Sequence, residues 1–114
     1  MSKSNQIDNW LNAQIISPFV DADGAVVGLV INLPPVQTSM RFADIEARME
    51  ARWGEIGREL EQLQAWWVNK DTNHGQVNRA RYLAEDARLT AERRFLEAMW
   101  QQVRSYMPHA EVAQ

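Results

Sequence analysis

Residues 42–67 read FADIEARMEARWGEIGRELEQLQAWW, and this stretch decides the fold. Phe42, Ile45, Met49, Trp53, Ile56, Leu60, Leu63 and Trp67 follow one another at intervals of 3 or 4 residues, a mean of about 3.6. Apolar residues at that period line one side of an α-helix, because successive residues turn about 100° around its axis. The stripe passes through without a phase shift, so the spacing predicts one helix on the order of 40 Å long at ~1.5 Å per residue. A helix with one apolar face must bury that face against another element.

Beyond this stretch, 69–75 is polar and reads as a loop, and Asn73 with Gln76 has the spacing of a capping box for a second helix from about His74 to Met107. Pro108 stops it. The second helix carries a stripe of mostly small residues, Val77, Ala80, Ala84, Ala87, Ala91, Phe95 and Ala98. An antiparallel arrangement sets Ala80 by Leu63, Ala84 by Leu60, Ala87 by Ile56 and Ala91 by Trp53, large against small, as in a close coiled-coil-like seam. Opposite charges at i, i+4 support helix throughout: Asp44/Arg48, Arg81/Glu85, Arg88/Glu92 and Arg93/Glu97. Residues 39–107 are thus expected to form a helical hairpin, with 108–114 a fraying tail.

On the other side, Ile15, Ile16, Phe19 and Val20 precede Asp21-Ala22-Asp23-Gly24, and Ala25, Val26, Val27, Leu29, Val30 and Ile31 follow it. Two β-branched runs about an Asp-Gly pair predict a β-hairpin over 15–33. Pro18 lacks an N–H and places the first strand at an edge or a bulge. The second strand is apolar at both parities, which predicts cover on both faces. Leu33-Pro34-Pro35-Val36 ends the strand and stiffens the connection, and Thr38 or Ser39 caps the first long helix. Ile7, Trp10 and Leu11 suggest a short amphipathic helix within 1–14. The expected fold class is α+β and mostly helical: a short N-terminal helix, a β-hairpin, then a long antiparallel helical hairpin, in a single domain over 1–114.

Composition narrows the function. Leu, Ile, Val and Phe make up 26 of 114 residues, enough for a small core. There is no Cys, which removes disulfides, thiolate metal sites and a cysteine nucleophile, and a reducing cytoplasm is the expected location. A net charge of −3 argues against general phosphate-backbone binding, so nucleic acid is not an expected partner. The longest apolar run, Ala25 to Ile31, has seven residues against the roughly 20 that cross a bilayer, and the N-terminal segment is too polar for a signal peptide.

Each chemical motif has a plainer reading. Asp21-Ala22-Asp23-Gly24 resembles the start of a calcium loop, but the remaining carboxylates are missing and a turn suffices. Gly54 and Gly57 form a GxxG inside the long helix, where close helix approach or a kink explains them better than phosphate contact. Glu46/Glu50 and Glu55/Glu59 are carboxylate pairs one turn apart without a Glu-x-x-His, and read as a solvated face. Ser105, His109 and Glu111 straddle Pro108 in a chain end and make a poor triad. No catalytic residue, metal site or cofactor is therefore assigned.

Five Trp in 114 residues and ten Arg among twelve basic residues are the anomalies. Adjacent Trp66 and Trp67 point about 100° apart and cannot both sit centrally in one seam. With Arg79 and Arg81 across the loop they form the expected partner-binding cluster, since Trp and Arg are the commonest interface anchors. The expected function is a non-catalytic protein-binding module, homo-oligomeric, acting as an adaptor or inhibitor of a larger protein. Alternatives are a binder of a small nucleotide-like anion, held by Arg and Trp at a subunit junction, and a structural assembly subunit.

Overall fold

The computed structural model describes residues 10–69 and 71–107. Within them the chain forms strands β1 (Gln14–Val20), β2 (Val26–Leu33) and β3 (Val36–Arg41), then helices α1 (Phe42–Val68) and α2 (Gln76–Tyr106). The three strands make one antiparallel sheet in the order β1-β2-β3, and the two helices form a hairpin, so the fold is α+β and mostly helical.

The first turn forms as Asp and Gly chemistry dictates. Gly24 takes a positive φ of 84°, while the Asp21 carboxylate accepts the N–H groups of Asp23 and Ala25 at 2.8 and 3.0 Å. Pro18 lies on an edge strand, between register shifts at Ile15/Ser17 and Phe19/Val20. Gly28 on the central strand stands opposite Phe19 and Arg41, and a Cβ there would lie 1.9 Å from the Met40 carbonyl oxygen. Only glycine allows β3 to approach so closely.

The third strand departs from expectation. Leu33 pairs with Val36, so Pro34 and Pro35 occupy the turn of a second β-hairpin, where neither needs to donate a ladder hydrogen bond. Residues 39–41 accordingly belong to β3 rather than to the helical hairpin, and Thr38 and Ser39 do not cap α1. Arg41 occupies its N-cap position without a side-chain cap hydrogen bond. The alternation Val36, Thr38, Met40 against Gln37, Ser39, Arg41 is a period-2 pattern that the Pro-Pro pair obscures.

The core lies between one face of the sheet and the base of the helical hairpin. Leu29, Ile31, Leu33 and Met40 of the sheet meet Ile45, Met49 and Ile56 of α1 and Leu89, Leu96, Met99 and Val103 of α2. Trp10 and Ala13 close one side, and Trp10 is wholly buried. Trp10 to Ala13 form a turn, with the Ala13 N–H donating to the Trp10 carbonyl at 3.1 Å, and Gln14 already belongs to β1. The rest of the expected helix within 1–14, like the expected tail over 108–114, lies outside the described residues. Strand β2 is covered mainly on one face: Leu29, Ile31 and Leu33 are buried, whereas Val26, Val30 and Asn32 of the opposite parity are half-buried.

Helix α2 turns a different face to the core than its alanines suggest. Leu89, Glu92, Leu96, Met99 and Val103 are buried, while Ala80, Ala84, Ala87, Ala91 and Ala98 are exposed and Val77 is 82% exposed. Burying Leu and Met removes more apolar area from water than burying Ala, at about 25 cal/mol per Å², and that term sets the rotation of the helix. The antiparallel register nonetheless stands, with Arg52 opposite Glu92. Helix α2 starts at Gln76, and Asn73 makes no capping box; its Oδ1 accepts the Gly75 N–H at 2.9 Å.

The helices outreach the sheet. Strands of 6 to 8 residues span roughly 20–26 Å, whereas helices of 27 and 31 residues span roughly 40 and 46 Å. The loop-proximal part of the hairpin therefore projects beyond the layer that covers its base.

Candidate functional site

Two polar constellations stand out, one at the base of the hairpin and one at its tip. At the base, Arg52 is 6% exposed and Glu92 3%. The guanidinium is bidentate on the carboxylate, with Nε to Oε2 at 2.7 Å and Nη2 to Oε1 at 2.6 Å. Its Nη1 reaches Glu55 at 3.3 Å and Glu59 at 3.2 Å. Hydrogen bonding to Glu92 outweighs the burial that opposes the charge and holds the Arg52 pKa above its already high value, with Glu55 and Glu59 adding to the effect. The Trp10 backbone N–H donates to Glu92 Oε2 at 3.4 Å, sharing that oxygen with Arg52 Nε. Glu55 and Glu59 are thus not a simple solvated pair: they neutralise the outer edge of a buried cation. The Arg52–Glu92 pair ties α1 to α2, Glu55 and Glu59 brace Arg52 from within α1, and Trp10 ties the N-terminal turn to α2, which makes this cluster structural.

The tip holds the expected partner-binding cluster in altered form. Trp67 stacks on Tyr82 with centroids 4.9 Å apart and planes 13° off parallel, and His74 covers it at 4.2 Å. His74 Nε2 also lies 2.5 Å from the Trp67 carbonyl oxygen. Trp66, tilted 46° to Trp67, lies under the Arg81 guanidinium at 5.2 Å, while its carbonyl oxygen accepts the Thr72 hydroxyl at 2.5 Å. Trp66, Trp67 and Arg81 therefore share one surface, whereas the Arg79 side chain is exposed and contacts none of these rings. His74 and Tyr82 complete the cluster. The helical register places Tyr82 opposite the end of α1, but the loop conformation that turns His74 onto Trp67 has no signature in the sequence.

Between the helices, Trp66 and Arg81 border a shallow groove of about 250 Å³ that Leu63, Leu89, Glu59 and Glu85 also line. Arg88 pairs with two of its carboxylates, 2.7 Å from Glu85 and 3.9 Å from Glu59. No family model, curated protein or solved structure matches this chain. No inherited site can be carried over, and the side chains alone define the surface. Its carboxylates oppose a polyanion beside Arg81, while its rings and aliphatic groups suit a protein face.

The remaining motifs are occupied by local structure. The Asp21 carboxylate serves the β-turn. Ser105 Oγ donates to the Gln102 carbonyl at 2.6 Å within α2, and His109 and Glu111 lie outside the described residues. Helix α1 runs unbroken through Gly54 and Gly57, and a Cβ at Gly57 would meet nothing within 4 Å, so close helix approach does not explain these glycines. Among the described residues no group of three or more His, Cys, Asp or Glu could hold a metal ion, and no helix is long and apolar enough to cross a membrane.

Proposed function

We propose that the protein is a non-catalytic protein-binding module that self-associates through the tip of its helical hairpin and acts as an adaptor or inhibitor of a larger protein. The observation that supports this reading is the state of the segment from Gly57 to Arg88. None of its described residues is buried, yet it carries Leu60, Leu63, Trp66, Trp67, Val68, Val77 and Leu83. Val68, Val77 and Leu83 are 62%, 82% and 50% exposed. So many apolar side chains left unburied, interspersed with Arg and Glu, are typical of faces that meet another chain. A second copy of the same hairpin is the natural first occupant, because a two-fold axis pairs each patch with itself.

Light scattering at ~100 μM, well above the dissociation constants of obligate interfaces, is expected to give at least twice the 13.2 kDa chain mass. Val77→Glu with Leu83→Glu is expected to return the particle to one chain with its helical content intact. A wild-type monomer at that concentration removes self-association from the proposal. The adaptor or inhibitor role is read by affinity capture with the wild type against Trp66→Ala and Arg81→Ala, each expected to weaken partner binding by about 2 kcal/mol as interface anchors do.

A further inference from the structure

At the base of the hairpin, on the side away from the tip, α1 and α2 enclose an open groove of about 290 Å³. Buried Met49 and Leu96 give it an apolar floor, and Trp53 and Trp100 also line it. Its rim carries three carboxylates, Glu46 and Glu50 one turn apart on α1 and Glu97 on α2. No basic residue lines it. All three glutamates are exposed, and none has an ion pair or hydrogen bond among the described residues.

We propose that this groove binds a basic side chain, lysine or arginine, presented by a partner protein. Three carboxylates without ion pairs line one opening and make its field negative, which favours a cation there over an anion or a neutral group. The Trp100 ring and the Trp53 face that Arg93 does not take favour the same occupant, because the ring quadrupole attracts a cation held within about 6 Å of the centroid. The chain supplies its own precedent: the Arg93 guanidinium lies over Trp53 at 4.6 Å instead of pairing with Glu97 one turn away. An apolar floor takes the methylene stem of the same side chain and leaves its charged head at the acidic rim. The groove is separate from the tip, and this inference does not depend on self-association there.

The test uses the full chain and the five indole N–H resonances of its five Trp, with those of Trp53 and Trp100 assigned from Trp53→Phe and Trp100→Phe. N-acetyl-lysine methylamide is titrated beside N-acetyl-norleucine methylamide, which keeps the apolar stem and lacks the ammonium. The lysine probe is expected to shift the Trp53 and Trp100 indoles with saturation in the millimolar range, as suits the contacts of a single side chain, and the norleucine probe to bind at least about fivefold more weakly. Glu50→Gln with Glu97→Gln, both at exposed positions, is expected to weaken lysine binding by a similar factor while leaving the Tm unchanged. Equal affinity for the two probes would make the groove an apolar slot and overturn the proposal. So would unaltered binding in the double variant, or no shift of either indole at about 50 mM lysine probe.

Discussion

The two ends of the helical hairpin have the same secondary structure and opposite energetics. At the base, the sheet lies across both helices, and every buried residue of α1 and α2 is there, from Ile45 to Ile56 and from Leu89 to Val103. At the tip, the same pair of helices runs past the edge of the sheet, and the apolar stripe of α1 continues through Leu60, Leu63 and Trp67 without a buried residue. Two helices can shield the line where they touch but not the flanks of that line. The tip therefore holds together through stacked rings, Trp67 on Tyr82 and His74, and through polar links such as the Tyr82 hydroxyl to Gln64 at 3.2 Å. Helical periodicity shows that a face is apolar; the presence of a third layer decides whether that face is buried.

The largest effect is expected at the base. Glu92→Ala leaves the Arg52 guanidinium buried without its bidentate partner and should destabilise the chain by about 3–5 kcal/mol in urea denaturation. Arg52→Met with Glu92→Leu should recover most of that loss, because an apolar pair of similar size does not strand a charge. Next, Leu96→Ala should cost about 2–5 kcal/mol as a cavity in the core, whereas Leu83→Ala at the half-exposed tip should stay within about 0.5 kcal/mol. Similar losses at the two leucines would dissolve the distinction between base and tip.

Trp67→Ala should remove the ring stack and cost about 1–2 kcal/mol, with the loss concentrated locally. Hydrogen exchange sharpens this: amides between Gly57 and Arg88 should exchange through local openings of lower free energy than those around Leu96, and the variant should widen the gap. The smallest effects belong to positions facing open space. Gly57→Ala should stabilise α1 by about 0.5–1 kcal/mol, since the added methyl meets nothing and the unfolded chain loses freedom. Ala87→Leu should change stability by less than about 0.5 kcal/mol, because that flank of α2 is exposed, and a loss above 1 kcal/mol would return Ala87 to a packed seam.

Much of this architecture can be read before any coordinates. The stripe from Phe42 to Trp67, the polar loop and the Asp-Gly turn each carry a local chemical signal strong enough to stand alone. The third strand cannot be read this way, because Pro34-Pro35 signals a break whether the chain leaves the sheet or turns back into it. The cluster at the tip is legible in part: Trp66, Trp67 and Arg81 meet as their positions suggest, while Arg79 stays exposed and His74 arrives through the loop. The buried ion pair is hidden for a different reason. Arg52 and Glu92 each look like ordinary surface charges, and only the rotation of α2 brings them face to face.

By itself, the order of residues determined that this chain makes two long helices after a β-hairpin, because helical period and turn chemistry act over a few neighbouring residues. Tertiary structure alone decided which face of α2 is inside. The alanine row and the leucine row are both apolar and both helical, and the choice between them depends on the area each can bury against a sheet that lies some 60 residues away in the chain, as between Leu29 and Leu89. The same layer, by ending where the strands end, left the rings of the tip at the surface.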